Sequence, residues 1–383
     1  MSALARRLRL GMVGGGDGAF IGAVHRMAAR LDDRFEWVAG AFSRDPARAA
    51  ASARALFIAP ERSYPDWQAM ARAEAARDDG IDAVVIVTPN HLHIPVASAF
   101  IAQGIDVICE KPLARTYAEA HALAHSVRAS ERIFAVTHPY SGYPMVREAR
   151  RLVAAGAIGE VRVVQVEYAQ QWLAEPVASP QASWRDDPAQ AGPAGALGDI
   201  GSHALHLMEF VSGVALSEVC ADLASMVPGR RLDDQVQALL RFENGARGGL
   251  WACQVAPGQD NGLRLRLFGS KGSLVFDQQQ PETLLVTPSG QPTQIVKRGA
   301  GEHGRQRDAL LRLPAGHPEG FIEAFAQLYW DYAERWAARA SGRPATHASL
   351  LLPGFEEGLR GLAAIEAMLR SHALGSQWVK LEH

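Results

Sequence analysis

The sequence predicts an α/β protein of two domains: an N-terminal parallel sheet built from βαβ units, then an α+β domain with a large, open, mostly antiparallel sheet. Three observations predict it. Between residues 9 and 136, short apolar runs alternate with alanine-rich helical segments. After about residue 140, strand-like runs follow one another with turn residues rather than helices between them. The chain has 383 residues, more than one ordinary core holds.

The elements follow in order. Residues 9–13 form an apolar strand that stops at glycines, and 21–31 an alanine-rich helix. Residues 35–42 read as the second strand, and 45–56 as a helix with Pro46 in its first turn, where a missing N–H costs nothing. Residues 82–87 are a β-branched run suited to burial on both faces. Residues 93–103 are a helix ending at Gly104, 105–109 a strand, 117–129 a helix and 132–136 the last strand of the series. Such alternation gives right-handed crossovers and a parallel sheet. The second half opens with a helix at 145–155. Strands are predicted at 161–169, 214–223, 235–242, 248–254, 263–268, 273–276 and 283–286. One helix, 197–211, interrupts them. Residues 291–318 read as a long loop, and helices at 319–340 and 350–371 close the chain.

The bulk properties exclude several classes. Apolar content of 48%, charged content of 21% and a net charge of -2 describe an ordinary globular chain with no electrostatic case for nucleic acid or a membrane surface. Cys109, Cys220 and Cys253 lie far apart, so neither a disulfide framework nor a cysteine zinc site is expected, and a reducing, cytoplasmic location fits. The arginines before residue 10 lead into a run broken by Gly14-Gly15-Gly16, so no secretion signal is expected. No apolar stretch is long enough to span a bilayer. Residues 381–383, Leu-Glu-His, read as a tag remnant.

Gly14-Gly15-Gly16-Asp17-Gly18 follows a strand and precedes a helix, the setting in which a dinucleotide pyrophosphate meets bare backbone and a helix N-terminus. Gly14, Gly16 and Gly18 are the candidate contacts. The spacing departs from GxGxxG: the third slot is Ala19 and the next glycine is Gly22, so the turn is expected to be longer, with Gly22 as the close-packing glycine. After the second strand, Ser43 and Arg44 stand where an acid would select NAD(H), which favours NADP(H) over NAD(H). Asp45 reads as the N-cap of the next helix.

Polar groups gather at strand ends. Thr88-Pro89-Asn90, followed by His93, closes the third strand, and Glu110-Lys111-Pro112 closes the fourth. Thr88, Asn90, His93, Glu110 and Lys111 are assigned to the cofactor side, because ligands of parallel sheets bind at the carboxyl ends of strands. A Lys111 cation there would stabilise a substrate alkoxide. Asp199 and His203, four apart at a helix start, supply a carboxylate and a proton-accepting imidazole. His206 follows three residues on, but no fourth ligand is evident, so no metal is expected.

These residues, with Gly22-Ala23-Val24-His25 and Trp184-Arg185 before Gly195-Ala196-Leu197-Gly198-Asp199, resemble the glucose–fructose oxidoreductase/inositol dehydrogenase/MocA family along nearly the whole chain. The resemblance implies a Rossmann domain over 1–138 and a substrate-binding and oligomerisation domain over 139–380, whose sheet would form a homodimer or homotetramer. It implies Lys111, Asp199 and His203 as catalytic residues, a cis Lys111-Pro112 bond, and Trp184 and Arg185 near bound substrate. Where many members carry an arginine near an asparagine, this chain has Thr137-His138-Pro139-Tyr140-Ser141-Gly142-Tyr143, and Tyr140, with Tyr143 and His138 beside it, is a candidate substrate contact on position alone.

The expected function is hydride transfer between NADP or NAD and a carbinol carbon of a sugar, sugar acid or cyclitol. Two alternatives stand beside it: a glycosidase that uses NAD in a redox-neutral cycle, and a non-enzymatic dinucleotide-binding sensor.

Overall fold

The structure is a computed structural model that describes residues 4–177, 179–300 and 311–382. The chain divides into two compact units. The first comprises Met1–Ala114, Ala118–Pro139 and Phe325–Gly358. Its sheet contains β1 (Leu8–Gly14), β2 (Phe35–Ala41), β3 (Ala83–Val87), β4 (Asp106–Cys109) and β5 (Phe134–Val136). All pairs are parallel, in the order β2-β1-β3-β4-β5. The apolar run Ala-Val-Val-Ile-Val places every residue of β3 in the core, as burial on both faces demands. The strand order reverses between β1 and β3, and crossovers leaving in opposite directions open a crevice at the carboxyl ends of those two strands.

The helices of this unit begin where their caps dictate. Asp45 Oδ1 accepts from the N–H groups of Ala47 (2.9 Å) and Arg48 (3.3 Å), so its role is the expected N-cap. A helix absent from the sequence reading, Trp67–Ala75, starts the same way from Asp66. The helix Phe20–Leu31 has no side-chain cap at its N-terminus.

The boundary at 138/139 does not separate the two cores completely. Most of the helix Phe321–Ala340 and the segment after it belong to the first unit, although the sequence placed all of 139–380 in the second. The cause is a set of long-range contacts to Asp106 at the start of β4. Its carboxylate accepts from Tyr332 (2.9 Å), from both Nη atoms of Arg339 (2.9 and 2.6 Å) and from the Ile133 N–H (3.1 Å). Arg34 adds an ion pair to Glu334 at 2.7 Å and stacks 3.5 Å over the Trp330 ring.

The second unit comprises Arg115–Tyr117, Tyr140–Ala324 and Leu359–His383. Its strands are β6 (Val161–Ala169), β7 (Leu216–Ala224), β8 (Gln235–Phe242), β9 (Arg247–Cys253), β10 (Gly262–Gly269), β11 (Gly272–Asp277), β12 (Thr283–Pro288), β13 (Gln294–Lys297) and β14 (Val379–Lys380). They form one sheet in the order β13-β12-β11-β10-β6-β9-β8-β7-β14. β6 and β9 pair in parallel, and the other described pairs are antiparallel. Alternation sets the faces: Val164, Val166 and Tyr168 of β6 are buried, whereas Gln165 and Glu167 are partly exposed. The helices Pro144–Ala154 and Ser202–Ser212 pack against this sheet.

Several details differ from the sequence reading. The helix expected at 197–211 opens with a π turn, Leu197–Gly201, before the α-helix begins. Two short helices, Pro180–Arg185 and Pro188–Ala191, precede it. β13 lies within the expected loop at 291–318, of which 301–310 fall outside the described residues. Of the 381–383 segment, Leu381 N–H bonds to Ser217 O at 3.0 Å and Glu382 pairs with Arg370. His383 and residues 1–3 lie outside the described residues.

Candidate active site

In the first unit the glycine turn after β1 is shaped by what it excludes. Gly14, Gly15 and Gly18 have φ of +78°, +64° and +78°, angles that side chains disfavour. A Cβ on Gly14 would lie 2.9 Å from Val87 O, and one on Gly16 would lie 2.8 Å from Ser52 Oγ. Gly22 is the close-packing glycine that the longer spacing predicts: its Cβ would lie 2.5 Å from Gly15 O and 2.6 Å from Gly15 Cα. The turn is tied down by Asp17 N–H to Ser52 Oγ (3.0 Å) and Ala19 N–H to Gly16 O (3.1 Å). Around Gly18 there is open space. Bare backbone, a helix N-terminus without a side-chain cap and the adjoining switch point fit a dinucleotide pyrophosphate.

The neighbouring strand ends hold the other candidates. Ser43 Oγ accepts from Asp45 N–H at 3.1 Å, and Arg44 is exposed. Thr88 Oγ1 is buried, with no hydrogen-bond partner among the described residues. Asn90 is buried in a short 3-10 turn. His93 is also buried, with Nδ1 2.8 Å from Pro112 O and Nε2 2.9 Å from Thr88 O. Burial pushes its imidazole below the usual value, although both carbonyls act the other way. Its ring nitrogens are therefore committed to backbone. His93 ties together the segments that follow β3 and β4.

Glu110 is likewise tied into the fold. Its side chain enters the interior: Oε1 lies 2.9 Å from His25 Nε2 and accepts from Thr137 Oγ1 at 2.5 Å, while Oε2 accepts from Lys111 N–H at 3.3 Å. His25 Nδ1 in turn lies 2.6 Å from the Tyr329 hydroxyl. Burial would raise the Glu110 carboxyl. The hydrogen bond and charge of His25, with Lys111 and Thr137, outweigh it and hold the carboxyl below the usual range. Lys111 stands partly exposed next to this fixed anion, and the Lys111-Pro112 bond is cis.

In the second unit Asp199 sits in the π turn, a distortion often found at functional sites. Asp233 anchors that turn by accepting from Gly195 N–H (2.6 Å) and Leu197 N–H (2.8 Å). Asp199 Oδ2 accepts from Gln254 Nε2 (2.9 Å) and Arg185 Nε (3.2 Å), and the Arg185 guanidinium lies 4.3 Å over the Trp184 ring. Trp184, Arg185 and Asp199 thus form one group. His203 is buried, its ring edge-to-face with Tyr140 at 4.9 Å. Tyr140, expected as a substrate contact, is packed in the interior. Its hydroxyl bonds the Tyr168 hydroxyl, which donates to Asn261 Oδ1 at 2.7 Å. Burial raises both phenols.

Sequence reasoning passed over His25 as a functional group, and missed Tyr329, Asp233 and Gln254. Only His25 carried a signal, as a polar residue on the buried, alanine-rich face of its helix. Among the described residues, no three His, Cys, Asp or Glu side chains gather in a metal-binding group.

Comparison with known proteins gives this geometry a family. Residues 8–138 match the profile described as "Oxidoreductase family, NAD-binding Rossmann fold", and residues 146–275 match the GFO/IDH/MocA C-terminal domain. The uncharacterized oxidoreductase YfiI of Bacillus subtilis is 34% identical over 99% of this chain and 98% of its own. An inositol dehydrogenase homolog from Azotobacter vinelandii, solved with NADH and myo-inositol, is 35% identical over 98% of each chain, with a TM-score of 0.90. A levoglucosan dehydrogenase solved with NADH and levoglucosan is 29% identical over 99% of this chain and all of its own (100%), with a TM-score of 0.85. With both family profiles matched and a relative aligned from end to end, the chain belongs to the Gfo/Idh/MocA family of NAD-binding oxidoreductases.

Proposed function

We propose that the protein transfers hydride between a nicotinamide dinucleotide and a carbinol carbon of a cyclitol, sugar or sugar acid. The observation that carries this reading is full-length similarity to structures holding NADH together with myo-inositol or levoglucosan. Both ligands are rings rich in hydroxyl groups.

The bound dinucleotide supplies the hydride acceptor, or the donor in the reverse direction. The chain supplies the rest. His203 takes the hydroxyl proton, its ring held by the edge contact with Tyr140. Asp199, oriented by Arg185 and Gln254, accepts a substrate hydroxyl. Lys111, beside the buried Glu110 carboxylate, stabilises the oxygen as its charge develops. Thr88 and Asn90 complete the cofactor side with the glycine turn.

NADP(H) is the preferred dinucleotide in this proposal. Ser43 and Arg44 supply a hydroxyl and a cation after β2, and the neighbouring acid Asp45 is occupied as a helix cap. The NADH in the solved relatives is the evidence on the other side. A homodimer or homotetramer through the second sheet is supported by its outward face, where Leu239 is 58% exposed beside Gln237 and Trp251. Sedimentation velocity measures that directly. The free cysteines support a cytoplasmic location, and no described helix is long and apolar enough to cross a membrane.

The test is a screen of cyclitols, sugars and sugar acids with NAD⁺ and NADP⁺, read by absorbance of the reduced nicotinamide. Turnover with at least one ring polyol is expected. Cofactor binding without turnover on any of them would overturn the substrate class.

A further inference from the structure

We propose that Arg26 is a positioning residue for the dinucleotide pyrophosphate, acting through the Gly15–Gly16 peptide without touching the ligand. The inference rests on dinucleotide binding at the glycine turn and assigns to it a side chain outside the glycine motif.

Arg26 lies in the helix Phe20–Leu31, half-buried against the turn. Its Nη1 donates to Gly15 O at 2.5 Å and lies 3.7 Å from Met12 Sδ. Among the described residues no carboxylate stands within ion-pair distance of it. Burial pushes the guanidinium below its usual value, Arg30 acts in the same direction, and Asp17 offsets them in part. A partly desolvated cation without a paired anion is a cost to the fold. It is placed beside a turn that leaves its backbone bare, where an arriving polyanion would relieve that cost.

The second observation is the direction of one peptide plane. Gly15 O is held from two sides, by Arg26 and by the close approach of Gly22, where even a methyl group would lie 2.5 Å away. The Gly15–Gly16 bond is not among the cis peptides, so its C=O and N–H point in opposite directions. A carbonyl pinned toward the helix fixes the Gly16 N–H away from it. A cation on the carbonyl also polarises the peptide and makes that N–H a stronger donor. Arg26 thereby sets both the aim and the strength of a backbone donor in the turn.

The experiment compares three probes, NADH, ADP and adenosine, on wild type, Arg26→Gln and Arg26→Lys by calorimetry. Loss of one charge-assisted contact predicts about tenfold weaker binding of NADH and ADP to Arg26→Gln, with adenosine unchanged. Arg26→Lys keeps the charge without the planar fork and should fall between wild type and the glutamine variant. Should Arg26→Gln fail to fold, a selective loss of ADP affinity in Arg26→Lys is the expected result. Unchanged ADP affinity in the variants overturns the proposal. So does an equal loss for adenosine, which would mark general damage to the turn. A wild type that binds neither NADH nor NADPH would sink the dinucleotide site itself, and the proposal with it.

Discussion

His25 and Glu110 form a buried pair, Nε2 to Oε1 at 2.9 Å, one residue before the lysine proposed to act on substrate. The direction of the hydrogen bonds to Glu110 follows from the groups involved. Burial raises the Tyr329 phenol far above its usual range, so it keeps its proton where it meets His25 Nδ1. The ionised Glu110 carboxylate can only accept, so His25 donates to it from Nε2 and Thr137 from its hydroxyl. One negative charge is buried, and its two side-chain donors come from elements distant in sequence.

This arrangement predicts an asymmetric response to mutation. Glu110→Ala leaves the donors of His25 and Thr137 without an acceptor, and breaking a buried network of this kind costs about 3–5 kcal/mol. Glu110→Gln keeps an acceptor oxygen and should cost less than half of that. Urea unfolding midpoints at neutral pH measure both. Equal losses in the two variants would show that the amide oxygen does not replace the carboxylate as an acceptor for these donors.

The same carboxylate sets a pH dependence. Its folded pKa lies below the unfolded value, which is about 4.3 for a glutamate. Its stabilising contribution is therefore complete above about pH 4.3 and is lost as pH falls through the lower folded value. Wild type and Glu110→Gln should differ in unfolding free energy by a constant amount from pH 5 to 7, and the gap should close in stronger acid. A gap that widened in acid would reverse the assigned shift.

How much of this was legible follows from how local each signal is. The first-sheet strands announced themselves because runs such as 83–87 are uninterrupted by polar residues. The glycine turn was legible down to Gly22, because backbone conformation and close packing leave few alternatives. The helix Trp67–Ala75 was missed: it is nine residues long and buries little beyond Met70, Ala71 and Glu74. β13 and β14 are edge strands of four and two residues, too short to carry a period. An amphipathic helix does not say which core it joins, so Tyr332 and Arg339 were placed in the wrong domain. The Glu110–His25 and Asp199–Gln254 contacts span 85 and 55 positions, beyond the reach of any spacing rule.

Gly22→Ala tests the turn without touching charge. Its methyl would stand 2.5 Å from Gly15 O, backbone that cannot swing aside as a side chain could. Overpacking of this kind costs about 1–3 kcal/mol. Displacement of the turn should also weaken NADH binding by at least about tenfold. Thermal unfolding and NADH fluorescence titration measure the two effects. A fully stable variant with unchanged affinity would show that the helix accommodates a longer approach.

Ser43→Asp tests the cofactor reading. A carboxylate after β2 accepts a ribose 2′-hydroxyl and repels a 2′-phosphate. The ratio of NADPH to NADH affinity should fall by about tenfold or more in the variant, with Arg44→Ala shifting it in the same direction. Competitive titration of the two reduced dinucleotides gives the ratio. No change in either variant would place the selectivity elsewhere than at this strand end.

The proposed base makes a sharper prediction when set against its support. An imidazole accepts a proton only when unprotonated, so oxidation by the wild type should slow toward acid pH. His203→Asn removes the acceptor and should lower kcat by about 10²–10⁴ with loss of that acid limb. Tyr140→Phe keeps the ring that meets His203 edge-on at 4.9 Å and removes only the hydroxyl bonded to Tyr168. Because Tyr168 still has Asn261 as a partner, the expected cost is about 1 kcal/mol of stability with kcat within a few-fold of wild type. Tyr140→Ala removes the ring itself. It should lower kcat more than KM, because the imidazole loses its fixed orientation while the group formed by Asp199, Arg185 and Gln254 is left standing. If Phe and Ala variants lowered kcat equally, the hydroxyl rather than the ring would be the support for His203.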